Sequence, residues 1–93
     1  MPRREEPQLG LSRAIRHFRH ESQLSQEALA FAAGLHPTSI SHLESGRVNP
    51  TWGNVRRVAE GLGVPLPELA ALAEDLELKL GAAPRPGKEA GGQ

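Results

Sequence analysis

The chain has 93 residues, 38% of them apolar and 24% charged, with no cysteine, one Trp, two Phe and no Tyr. That is enough chain for one small core. It excludes a disulfide framework and a cysteine-based zinc site, and so aromatic-poor a mixture favours packed helices over a β sandwich. The formal net charge is zero but unevenly divided: residues 9–64 carry six Arg against four Glu, whereas residues 65–80 carry four acidic side chains against Lys79.

Residues 1–8 hold two prolines and four charges and read as a flexible N-terminal arm. They lack the apolar run of a signal peptide. No later stretch approaches the roughly 20 apolar residues of a membrane span, so a cytoplasmic location without membrane contact is expected. From Leu9, the spacing of Leu11, Ile15 and Phe18 predicts a first helix to about Glu21. Ser25 stands where an N-cap belongs, opening a second helix to about Ala32 with Leu29, Ala30 and Ala33 turned inward. Gly34 supplies a left-handed stop. Pro37 suits the first turn of a third helix, where its missing N–H has no intrahelical partner; that helix runs to Ser45 and stops at Gly46.

Residues 47–50 form a loop, and Thr51 caps a fourth helix with Val55, Val58, Ala59 and Leu62 buried. Trp52, at its start, reads as a core plug rather than a stacking platform. Pro67 opens a fifth helix carried by Leu69, Leu72, Ala73 and Leu76. Over residues 76–80 the leucines alternate as in a strand, yet Leu69, Leu72, Leu76 and Leu80 also fit a helix. The helix is favoured because it continues an existing one and no partner strand is visible. The glycine- and proline-rich residues 81–93 read as a disordered tail. The expected fold is therefore all-α, a compact five-helix bundle over residues 9–80 whose second and third helices make a helix-turn-helix.

In such a motif the second helix of the pair enters the major groove while the first lies across the backbone. With Ile40 and Leu43 inward, Thr38, Ser41, His42 and Ser45 fall on the outer face of the third helix. Thr and Ser exchange hydrogen bonds with several bases, Thr offers a methyl to thymine, and His42 can donate to a guanine acceptor. The plain alternative is a solvated helix surface. Gln26 has amide donors for a phosphate at the start of the second helix, and Arg47 and Asn49 sit in the loop where they can grip the same backbone. Arg19 and Glu44 read as a salt bridge tying the third helix to the first. His17 and His20 have chelating spacing, but two histidines make an incomplete site, so no metal is expected. No cofactor is expected either, and nothing pairs a nucleophile with a base as catalysis would require.

These residues resemble the Cro/repressor-type, or XRE, helix-turn-helix family over about residues 9–75. The carriers are Arg19, Leu24 to Glu27, Leu29 and Ala30, Ala33 to Leu35, Ile40 and Ser41, Leu43 to Gly46, Asn49 and Pro50, and Leu62 to Val64. The resemblance implies a lambda-repressor-like five-helix bundle that binds operator DNA, usually as a two-fold dimer. Position by position it implies phosphate contacts at Ser25, Gln26, Arg47 and Asn49, base reading at His36, Pro37, Thr38, Ser41 and His42, and a structural Arg19–Glu44 bridge. Three positions depart from the family's pattern. Gln23 stands where the family often has glycine, so a non-glycine residue is expected in a left-handed conformation. Gly53 weakens the first turn of the fourth helix, and Pro37 removes a long polar side chain that some relatives use on DNA.

Two functions follow. The first is a sequence-specific transcriptional regulator, a repressor on a palindromic operator in double-stranded DNA. It would act as a homodimer through the stripe Leu69, Leu72, Leu76 and Leu80, unless that stripe merely packs onto the fourth helix. The second is a protein-binding module, an antitoxin or adaptor using the same fold on a protein partner, which the acidic fifth helix and zero net charge favour.

Overall fold

A computed structural model describes residues 8–80. The tail expected over residues 81–93 and, except for Gln8, the arm expected over residues 1–8 lie outside the described residues. Five helices follow one another: α1 Leu9–Glu21, α2 Gln26–Ala33, α3 Pro37–Ser45, α4 Trp52–Leu62 and α5 Leu66–Leu80. Residues 76–80 are helical, and α5 starts at Leu66, one residue before Pro67, with the Pro65 carbonyl accepting from the Glu68 and Leu69 N–H groups.

Local chemistry sets the boundaries. The Ser25 hydroxyl accepts from the Ala28 N–H at 2.9 Å, and Thr51 serves the Asn54 N–H in the same way at 3.0 Å. Gly34 ends α2 at φ 71°, which lets the Leu35 N–H reach back to the Ala30 carbonyl. Gln23 is left-handed at φ 60°, and it is the one non-glycine residue with positive φ among those described.

The core joins Ile15, Leu29, Ile40, Val58 and Leu69, all fully buried, with Ala14, Ala30, Leu43, Ala59 and Leu62 around them. Helix α2 lies between α3 and α4, α1 braces α3, and α5 lies along α1 with only light contact to α4. The plain alternative for the leucine stripe, packing onto the fourth helix, thus gives way to packing chiefly along the first. The α1–α5 crossing is close at Gly10, where a Cβ would come within 2.4 Å of the Ala73 carbonyl oxygen. There the Gly10 N–H donates to the Glu77 carboxylate at 2.8 Å. The Gln8 side chain makes no cap bond, so α1 takes its acidic cap from another helix.

Two further expectations change. Trp52 is 66% exposed rather than a core plug: it lies at the edge of the Val55–Ala59–Leu62 stripe, beyond the surface its neighbours cover. Leu69 is sealed in the core, and Leu72 and Leu76 pack half-buried against that core. This stripe is therefore largely an internal seam. Leu69 has no surface for a partner, and Leu80, at the helix end, is 40% exposed.

Candidate nucleic-acid interface

The third helix is fixed from beneath by a buried carboxylate. Glu44 follows Leu43 on the inner side of α3, and its side chain is only 2% exposed. Arg19 of α1 grips it with two donors, Nε to Oε2 at 2.5 Å and Nη2 to Oε1 at 2.9 Å, while Nη1 donates to the Leu24 carbonyl. Gln26, the first residue of α2, donates its amide to Oε1 at 2.9 Å. Arg16 comes within 3.8 Å of the same oxygen from the solvent side. Burial pushes the Glu44 carboxyl up, but the hydrogen bonds from Arg19 and Gln26 and the charges of Arg19 and Arg16 outweigh it and hold the group below its ordinary value. The hydrogen bond to Glu44 likewise raises Arg19, against the opposing effect of burial. Three helices thus meet on one anion, and the orientation of α3 against α1 and α2 is set there.

On the opposite side of α3, Thr38, Ser41 and His42 are exposed, as are His36 and Pro37 at its start. Their hydrogen bonds separate them. His36 Nδ1 accepts from the Thr38 N–H at 3.1 Å and so caps α3, which leaves Nε2 as its outward nitrogen. Ser45 donates to the His42 carbonyl at 2.7 Å and accepts from the Arg47 N–H at 3.3 Å. Its hydroxyl therefore serves the end of the helix, although its spacing puts it on the outer face.

Beside this face, Ser39, His42, Asn49, Thr51 and Asn54 border a shallow groove of about 190 Å³ between α3, the loop and the start of α4. Arg47 and Asn49 are exposed on that loop. Ser25 and Gln26 lie at the start of α2, where the Ser25 oxygen is an acceptor within the cap and its proton remains available to a phosphate. The fold therefore gathers the base-reading candidates on one helix and places phosphate-binding candidates at the start of α2 and in the loop after α3. Sequence reasoning missed Arg16, Ser39 and Asn54. A signal for Arg16 was present, since it precedes Arg19 by one turn of α1. Ser39 and Asn54 come together only through the loop path. Among the described residues no cluster of His, Asp and Glu is arranged to hold a metal ion, and no helix is long and apolar enough to cross a membrane.

Comparison with known proteins gives a consistent picture. Residues 10–72 match the family described as helix-turn-helix domain. A 44-residue stretch is 43% identical to the control protein C.BamHI of Bacillus amyloliquefaciens, covering 47% of this chain and 54% of that protein. The match thus spans about half the length of that curated relative. Among solved structures, the restriction-modification controller protein C.AhdI from Aeromonas hydrophila superposes with a TM-score of 0.65 at 31% identity, over 67% of this chain and 94% of that one. The wild-type restriction-modification controller protein C.Esp1396I gives 0.72 at 28% identity, over 77% and 94% of the two chains. The clp gene regulator ClgR from C. glutamicum gives 0.69 at 26%, over 73% and 88%.

Proposed function

This chain belongs to the helix-turn-helix domain family, and from that premise we propose that it is a cytoplasmic, sequence-specific transcriptional regulator of the restriction-modification controller type, not an enzyme. It acts as a repressor on a palindromic operator, with α3 in the major groove of double-stranded DNA and two copies related by a two-fold axis. Thr38, Ser41 and His42, with His36 through its Nε2, read base edges. Pro37 contributes shape alone. Ser25 and Gln26 hold the phosphate backbone on one side, Arg47 and Asn49 on the other.

The observation that carries this reading is the Glu44 clamp. A buried carboxylate bound by α1 and α2 holds an outer face of short polar side chains at a fixed angle to the start of α2. A merely solvated helix needs no such constraint. Binding to random duplex across a salt series tests it. If Arg16 and Arg47 of two copies each neutralise one phosphate, log K should fall against log salt with a slope of about −4. An absence of duplex binding at low salt would sink the proposal.

A protein-partner reading has one observation of its own: Phe31, on the outer face of α2, is 89% exposed. Phe31→Ser should leave duplex binding unchanged and abolish the partner's binding if this reading holds.

A further inference from the structure

The turn that Glu77 caps at the start of α1 also forms the seat of the end of α3. Glu77, near the end of α5, accepts from the Gly10 N–H at 2.8 Å. Gly10 is buried, and α5 passes so close that a Cβ there would meet both the Ala73 carbonyl and the Glu77 side chain. On the other side of the same turn, the Gln8 N–H donates to the Gly46 carbonyl at 2.9 Å. Leu9 and Ser12 press on Gly46, where a Cβ would come within 2.8 Å of Leu9 Cδ2 and 3.3 Å of Ser12 Oγ. Ser12 is buried, and its hydroxyl donates to the Leu9 carbonyl at 3.0 Å, which closes the turn on itself.

From this we infer that Glu77 is a positioning residue for the phosphate-binding loop: by keeping the first turn of α1 wound, it fixes Gly46 and so orients Arg47 and Asn49, which follow. This rests on the DNA-binding reading above, in which those two side chains hold phosphates. The first N–H groups of a helix have no intrahelical partner, and the turn frays unless something satisfies them. The Gln8 side chain makes no cap bond and the first turn of α1 holds no acidic residue, so Glu77 brings both the acceptor and the negative charge. Among the described residues, the Gln8–Gly46 bond is the one backbone hydrogen bond that joins residues 46–50 to another element. Val48, half-buried against the core, keeps the loop attached, so without Glu77 the loop should lose its orientation and keep its place in the fold. The bonds of Glu44 to Arg19 and Gln26 hold α3 independently of Glu77. Base preference should therefore survive where the grip on phosphates does not.

Hydrogen exchange of the full chain reads the first step without DNA. In Glu77→Ala the Gln8 and Gly10 amides should exchange about tenfold faster, the effect of one lost charge-assisted hydrogen bond. Glu77→Gln keeps an acceptor for the Gly10 N–H and should restore most of that protection. Both variants lose the same charge, so any difference between them belongs to the hydrogen bond. On a random-sequence duplex, Glu77→Ala should reduce the slope of log K against log salt from about −4 toward about −2, because Arg47 of each copy no longer neutralises its phosphate. Arg47→Gln should do the same, and the two substitutions together should cost no more than either alone. Circular dichroism should show these variants folded, since both positions are exposed.

Unchanged exchange at Gln8 and Gly10 in Glu77→Ala would overturn the inference and leave the DNA-binding reading standing. Faster exchange with an unaltered salt slope would overturn it too, since Glu77 would then cap α1 without governing the loop. Additive losses from Glu77→Ala and Arg47→Gln would have the same meaning. An unsubstituted chain that binds no duplex at low salt would remove the DNA-binding reading and this role of Glu77 with it.

Discussion

Arg19→Ala tests the Glu44 clamp most directly. The substitution removes both charged donors from a carboxylate that is 2% exposed and leaves it one amide bond from Gln26 and a distant Arg16. Truncating one partner of a buried ion pair costs about 3–5 kcal/mol, against roughly 4–11 kcal/mol of total stability for a domain of this size. The variant should therefore stand near the limit of folding at neutral pH. Its pH dependence is the sharper signature. In the native chain Glu44 is held below its ordinary value, so its stabilisation is complete above the unfolded carboxylate range and is lost as pH falls through the lower folded value.

Without Arg19 the main opposing influence on Glu44 is gone and burial prevails, so the folded state favours the protonated acid. Stability then falls as pH rises through the raised value, the reverse of the native trend. Urea unfolding followed by circular dichroism at about pH 7 and about pH 4 should show the Arg19→Ala penalty shrinking at the lower pH toward the roughly 1–2 kcal/mol of a lost hydrogen bond. Replacing both partners with apolar residues, Arg19→Met with Glu44→Leu, should recover most of the loss. Equal penalties at the two pH values, or a penalty below about 1 kcal/mol at neutral pH, would show that the clamp does not set the stability of the fold.

Gly10→Ala should destabilise, because its Cβ would meet the Ala73 carbonyl at 2.4 Å; overpacking of about 1–3 kcal/mol outweighs the gain in helix propensity of about 1 kcal/mol, and a higher urea midpoint than the parent's would show the crossing to be looser. Gln23→Gly should relieve the left-handed backbone at φ 60° and raise the thermal midpoint by a few degrees, corresponding to about 0.5–1 kcal/mol. His42→Ala should narrow the gap between operator and random duplex by about 1–3 kcal/mol, whereas Gln26→Ala should weaken both alike and also lower stability, since Gln26 binds Glu44. Uniform loss in both variants, measured by fluorescence anisotropy, would show that these two positions do not divide base reading from backbone contact.

What the sequence disclosed was chiefly what neighbouring residues decide. Ser25, Thr51, Gly34 and Gly46 act on N–H and C=O groups within four residues of themselves, so the ends of α2, α3 and α4 could be read without a fold. Side-chain type and helical spacing likewise placed Thr38, Ser41 and His42 outward. The Glu44 clamp was half visible: its pairing with Arg19 was expected, but the entry of Gln26 and Arg16 depends on how α1 and α2 cross. Glu77 capping α1 spans 67 positions of chain and has no local signal. Trp52 and the leucine stripe of α5 misled for one reason. Periodicity identifies an apolar edge, not which neighbour covers it. Here α5 turns its leucines to α1 and leaves the edge of α4 open.

That arrangement bears on how the proposed reading helix, which carries no Arg or Lys, would gain affinity. Residues 37–45 contain no Arg or Lys, so on the proposed reading α3 would supply discrimination and little electrostatic attraction. Arg19 is neutralised by Glu44, and Arg56 and Arg57 line a separate notch of α4 together with Glu60. Arg13 is exposed near the start of α1, and Arg16, at the solvent edge of the clamp, and Arg47, in the loop after α3, are the cations nearest the α3 face. If each copy neutralises two phosphates, its binding is weak and strongly salt-dependent, and joining two copies would convert the second engagement into an intramolecular one at high effective concentration. On the proposed two-fold reading, operator affinity and self-association are coupled: a substitution that separates the two copies should weaken operator binding about as strongly as one that removes a base contact, without altering which base pairs are preferred.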